Sequence, residues 1–131
     1  MNKLKIVGTV ALWLVTLLLA LICLRSGLMK LPGFSGEQFW IRDFQRWGYP
    51  DWFRLVVAAA ELTSCALLLF PRIAAVGASI FVLVMLGAIF THFTNNETGR
   101  LPFNFVLLVL SLIVAWSRLP RFAANFRKVH V

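Results

Sequence analysis

FRLVVAAAELTSCALLLF, residues 53–70, would dissolve in lipid beyond Arg54 at its start but for one residue near its middle, Glu61. An ionised carboxylate is costly among Val, Ala and Leu, so its reading depends on what surrounds the stretch. The chain has 131 residues, 60% of them hydrophobic and only 14% charged, with a mean hydropathy of +0.85. A soluble domain of this length must keep a polar surface, and this chain lacks the residues to make one. The length fits a single domain, 1–131. A formal net charge of +8 and a pI near 10.9 raise the question of nucleic acid. Yet the basic residues form no single patch; they sit at the ends of apolar runs, where they anchor helices and face lipid headgroups. The partner implied is the lipid bilayer, not nucleic acid.

Four apolar runs stand out, 6–24, 55–70, 73–90 and 101–116, each 16 to 19 residues long. A bilayer core needs roughly 20. Helices are the sensible reading, because open strands would leave backbone groups unpaired in lipid. The sequence therefore predicts an all-α membrane protein, a four-helix transmembrane bundle. Its helices are expected at about 6–24, 53–70, 73–92 and 101–117, with a basic C-terminal tail over 118–131. The first run follows MNKLK but is longer than a signal-peptide apolar core and no A-x-A site follows it. LALIC, ending at Cys23, has the bulky Ile22 where a lipoprotein cleavage box needs a small residue. The run reads as a retained helix.

An even number of spans puts both termini on one side, with Lys3, Lys5, Arg118, Arg121, Arg127 and Lys128, and Arg72 in the Pro71–Arg72 turn. The other side carries Arg25, Lys30, Arg42, Arg46, Arg54 and Arg100. Seven against six places both termini in the cytoplasm of a multi-pass protein of the cell membrane. Between the first two runs, SGEQFWIRDFQRWGYP opens with Ser35 and has Gln38 three residues on, a capping-box pattern. Phe39, Trp40, Phe44 and Trp47 then share one helical face opposite Arg42, Gln45 and Arg46, and Gly48 and Pro50 end the segment. The pattern predicts an amphipathic helix over about 36–47 lying in the membrane interface.

SGLMKLPGF after the first run, WGYP before the second, Glu61 within it, a Pro-Arg turn and AIFTHF ending the third together resemble the DoxX family of small four-helix membrane proteins. The Gly-x-x-Lys of that family is matched by Gly27 and Lys30. Its Gly-x-Pro is matched by Gly48 and Pro50, its helix-two carboxylate by Glu61 and its late helix-three His by His92. The similarity runs over roughly residues 20–117. Many members carry an Arg early in the first helix, and GTVALWLVTLL has none. The resemblance implies a part in membrane oxidoreductase systems, since members include a subunit of a thiosulfate:quinone oxidoreductase. Distant relatives resemble membrane-protein assembly factors.

Counting along the helices places Glu61 nine residues past Trp52, about 13 Å in. His92 lies twenty residues past Arg72, about 30 Å and so back at the outer surface. Glu61 facing inward near His92, below a rim of Lys30 and Arg25, is the expected arrangement, because exposing a carboxylate to lipid costs roughly 3 kcal/mol. These four are the candidate ligand-binding or proton-handling residues. The plainer alternative is that Glu61 is protonated and only fixes the register of the bundle, with His92, Lys30 and Arg25 as interfacial anchors. Asn95, Asn96 and Asn104 can cap helices or line the outer mouth. Cys23 and Cys65 lie at different depths by the same counting, so a disulfide is not expected.

No nucleophile–base triad, phosphate loop, metal-ligand cluster or Cys-x-x-Cys is present, so the sequence offers no autonomous catalytic site and no metal site. Two functions of different class stand side by side. One is an accessory subunit of a membrane oxidoreductase, with an outer-leaflet pocket for a quinone-like or other amphipathic molecule and a membrane or periplasmic redox protein as partner. The other is a non-enzymatic scaffold or assembly factor, and association with further copies of the chain is compatible with both.

Overall fold

The computed structural model describes residues 2–130, and all regular structure among them is helical. Five α-helices follow in order: α1 (Lys3–Met29), α2 (Glu37–Arg46), α3 (Asp51–Leu68), α4 (Ala74–Thr94) and α5 (Leu101–His130), with a single 3-10 turn, Thr98–Arg100, before α5. Asn2 caps α1, its side-chain oxygen accepting the Lys5 N–H at 2.8 Å. Pro32 ends that helix by excluding helical geometry at the residue before it. α2 starts at Gly36 without a side-chain cap, so the box expected from Ser35 and Gln38 does not form. Glu37 instead accepts the N–H of Gly33 at 2.9 Å, a glycine held at φ +88° in the turn.

α1 packs on α3, α3 on α4 and α4 on α5, while α1 and α5 meet less extensively. The shared core is Leu19, Cys23, Leu68, Ala78, Phe81, Leu107 and Val114. Three hydroxyls are buried in the same interior, and each is satisfied within its own helix. Thr16 donates to Leu12, Ser64 to Ala60 and Ser111 to Leu107, so small polar side chains let the helices approach without orphaned groups. Gly77 marks a close approach of two helix backbones: a Cβ there would lie 3.0 Å from the Ser64 carbonyl oxygen and 3.0 Å from the Leu68 nitrogen of α3. Outward, the long helices expose large apolar residues such as Leu21, Leu83, Phe90, Phe105 and Trp116.

Three helices are long and apolar enough to cross a membrane: α1, α4 and the helical stretch containing α5. α3, expected as the second of four spans, is 18 residues long and carries Asp51, Arg54 and Glu61, which lower its hydropathy below theirs. The basic stretch from 118, expected as a tail, instead continues α5 to His130, passing through Pro120. Both cysteines are free thiols.

Candidate functional site

Lys30 caps the C-terminus of α1, and its side chain turns back into the bundle. Its ammonium donates to both carboxylate oxygens of Glu61, at 3.0 and 3.3 Å, and to the Ser26 hydroxyl at 2.7 Å. Both Lys30 and Glu61 are 3% exposed. The Trp40 ring closes the remaining side, its centroid 3.9 Å from the ammonium nitrogen. Lys30 is therefore not a rim anchor as the linear count suggests; it is the buried counter-ion of Glu61.

Arg54 lies seven residues before Glu61 and so on the same face of α3. It is 3% exposed. Its guanidinium donates to the Lys30 main-chain carbonyl and lies 3.5 Å from Asp51. The fold thus fixes Lys30 twice, by Glu61 at its head and by Arg54 at its backbone. The charge count placed Arg54 at an interface; the seven-residue spacing to Glu61 was the signal for its real place.

α2 lies across this end of the bundle. Its aromatic face turns toward the protein: Phe44 is buried and touches the rings of Trp47, Tyr49 and Phe53. On the same helix Asp43, buried, accepts from Arg46 at 2.9 Å and from Arg100 at 2.8 Å. The tyrosine after the helix joins α4, with 2.7 Å between the Tyr49 and Thr91 hydroxyls.

The end of α4 supplies the other anchor. Asn96 adopts a left-handed φ of 59°. The Asn96 N–H bonds the Phe93 carbonyl and the Glu97 N–H bonds that of His92 at 2.8 Å, the pattern that closes many helices. This turn folds Glu97 back over the helix end. Its carboxylate accepts the Trp47 indole N–H at 2.6 Å, pairs with Arg46 and lies 3.3 Å from His92 Nδ1. Burial pushes the Glu97 carboxyl up, but hydrogen bonds from His92 and Trp47 and the charges of Arg100 and Arg46 outweigh it and hold it below the ordinary glutamate range. The partner of His92 is thus Glu97, not Glu61. Neither Glu97 nor Asp43 stood out in the sequence.

Beneath α2 lies a cavity of about 860 Å³. Glu61, Lys30, His92 and Arg25 all line it; the first three are buried, whereas Arg25 is exposed and forms no ion pair among the described residues. The walls are largely aliphatic and aromatic, with Ile22, Val57, Ile80, Val84 and Phe103 among them. Asn104 and Trp40 also line the cavity, and the side-chain nitrogen of each is buried without a hydrogen-bond partner. Such orphaned donors are unusual in a well-packed interior. Among the described residues no group of three or more His, Cys, Asp or Glu side chains could hold a metal ion.

The profile of the DoxX-like family matches residues 14–114, a span that contains every cavity residue named above. The chain belongs to the DoxX-like family. Among its relatives is "Putative oxidoreductase CatD" of Bacillus subtilis (strain 168), 31% identical over 116 residues, covering 88% of this chain and 82% of that one. Another, "Uncharacterized protein YwoB" of the same organism, is 29% identical over 99 residues, covering 76% of this chain and 63% of its own length. The chain thus spans less than two thirds of the length of that second relative. No solved structure matches the chain. DoxX-like membership and the three long apolar helices together make it a membrane protein.

Proposed function

We propose that this DoxX-like protein is an accessory subunit of a membrane oxidoreductase system whose cavity receives a quinone-like or other amphipathic molecule. The observation that carries the reading is a buried Lys30–Glu61 ion pair lining an apolar cavity beside two buried, unpartnered N–H donors, on Trp40 and Asn104. A ligand with carbonyl acceptors at its head and an apolar tail complements that wall: the unpartnered donors of Trp40 and Asn104 meet its oxygens beside the Lys30 charge, and the aliphatic side chains meet its tail. The "oxidoreductase" in the relative's name points the same way. On this reading Glu61 and His92 handle protons, Lys30 orients the head, and Arg25 stands at the outer edge. α3 is the second of four membrane spans, its three charges turned to partners within the protein, and α2 lies at the interface as a lid over the cavity.

The orientation proposed has both termini in the cytoplasm and the cavity opening toward the outer leaflet, where a membrane or periplasmic redox protein would meet it. The end with the termini carries seven Lys and Arg against six on the cavity side, and the richer side is the cytoplasmic one by the positive-inside rule. Labelling single cysteines with an impermeant reagent tests this. Reaction at Gly99→Cys and protection at Ala123→Cys are expected from outside; the reverse pattern contradicts the orientation.

One observation favours the scaffold reading. The Lys30 ammonium has all its directions filled, by Glu61, Ser26 and Trp40, as a clamp between α1 and α3 requires. The two readings part at Glu61→Gln. Because it leaves Lys30 without its counter-ion, that change lowers stability on both readings; a ligand site also loses co-purifying ligand and partner-linked electron transfer, whereas a clamp loses stability and nothing else.

A further inference from the structure

We infer that the end of the bundle opposite the Glu61 cavity holds the phosphate headgroup of an acidic phospholipid in the groove of Arg72, Arg121 and Asn125, with the buried cation of Arg118 one turn earlier on the same face of α5. The five acidic residues of the chain are Glu37, Asp43, Asp51, Glu61 and Glu97, and all lie in or around the cavity half. The opposite end gathers Lys3, Lys5, Arg72, Arg118, Arg121, Arg127 and Lys128 with no acidic side chain to answer them.

Most of these cations are exposed, and exposed cations are neutralised by water and salt. Arg118 is not: it is 8% exposed. It continues the buried stripe of Leu107, Ser111 and Val114 along α5. Its guanidinium sits over the Trp13 ring, 5.1 Å from the centroid, but Nε and one terminal nitrogen are buried without a hydrogen-bond partner. A buried guanidinium normally has an anion or acceptors on its donors, because leaving them bare is costly. No side chain at this end can supply the anion.

A groove of about 450 Å³ opens beside the turn between α3 and α4, lined by Arg72, Arg121, Asn125 and the apolar Phe70, Pro71 and Ile73. Arg121 and Asn125 follow Arg118 by three and seven residues, so all three share one face of α5. Planar guanidinium forks fit a phosphodiester bidentately, and the apolar lip suits the glycerol and first acyl carbons. Basic pockets at helix ends on an acidic leaflet take such headgroups. Arg118, Arg121 and Asn125 lie beyond the segment matched by the DoxX-like family model, and Arg72 lies within it.

The test uses the full chain in a mild non-ionic detergent, with phosphatidylglycerol, phosphatidylcholine of the same acyl chains, and inorganic phosphate as separate probes. Native mass spectrometry reads lipid retention and thermal unfolding reads stabilisation. The expected result is retention of phosphatidylglycerol about tenfold above phosphatidylcholine, with no comparable stabilisation by millimolar phosphate. Arg118→Gln and the Arg72→Gln/Arg121→Gln pair should each reduce that retention about fivefold or more. Lys3→Gln/Lys5→Gln, which removes equal charge at the same end, should leave it intact. Should Arg118→Gln fail to fold, the pair at exposed positions decides. Equal retention of the two lipids overturns the inference. So does equal stabilisation by phosphate alone, which would mean a small-anion site, or an equal loss in the lysine pair, which would mean diffuse surface charge.

Discussion

The Lys30 ammonium lies 3.0 Å from one Glu61 carboxylate oxygen and 3.3 Å from the other, joining the end of α1 to the middle of α3. Two charges this deep each carry a large desolvation cost, and they are tolerated because each is the other's counter-ion. Gly27 lies one turn before Lys30 and packs on the same helix, a Cβ there falling 2.8 Å from Leu62 and 3.2 Å from the Ala58 carbonyl oxygen. Close backbone approach and the ion pair therefore depend on one another.

Removing one partner strands the other. Lys30→Met and Glu61→Leu should each destabilise the bundle by about 3–5 kcal/mol. The double substitution should recover most of that loss, because no charge is left buried. Chemical unfolding in detergent of the three variants measures the coupling. Additive losses would mean that the two side chains do not act as a pair.

Glu97 gives the α2 segment a pH dependence with a definite sign. Its carboxyl is held below its ordinary value of 4.5 by His92, Trp47, Arg100 and Arg46 against the opposing effect of burial. A depressed folded-state value contributes stability that is present above pH 4.5 and is lost as pH falls through the folded value. The protection of the amides over residues 37–47, taken relative to their intrinsic exchange rate at each pH, should fall on acidification below about 4.5 in the native protein. Glu97→Gln should exchange faster at neutral pH and respond less to acid. An unchanged acid response in that variant would remove Glu97 from the account.

Gly77 offers a test of packing away from the cavity. Its missing Cβ faces α3 backbone atoms at 3.0 Å, which cannot swing aside as a side-chain tip can. Gly77→Ala should cost about 1–3 kcal/mol by overpacking. Gly8→Ala, with nothing within 4 Å, should be neutral or slightly stabilising through helix propensity. Equal thermal unfolding of the two variants would argue against the α3–α4 contact.

The helices were legible because apolar runs of membrane length bounded by Pro and Gly leave few other readings. Glu61 was legible as the lone charge in such a run. Its partner was not, since counting residues along α1 puts Lys30 at the rim and says nothing of a side chain that folds back. The aromatic face of α2 was visible in the heptad-like spacing of Trp40, Phe44 and Trp47, but not its direction. Lipid and protein both accept an aromatic face, and buried Asp43, held by Arg46 and Arg100, is what turns that face inward. Glu97 was hidden because its place depends on the left-handed turn at Asn96, a backbone choice that Asn permits without announcing.

The central claim is that the cavity binds an amphipathic molecule through acceptors at its head, and a fluorescence titration tests it most directly. Trp40 and Trp47 line the cavity, so a short-tailed benzoquinone bound there must quench them. Saturable quenching is expected for the native protein in detergent. Asn104→Leu removes an unpartnered donor and Glu61→Gln the charge beside Lys30; each should weaken binding about tenfold, the worth of one hydrogen bond to a polar or charged group. Quenching that rises linearly without saturation, and equally in all three proteins, would mean that the quinone only partitions into the micelle and that the cavity is not its site.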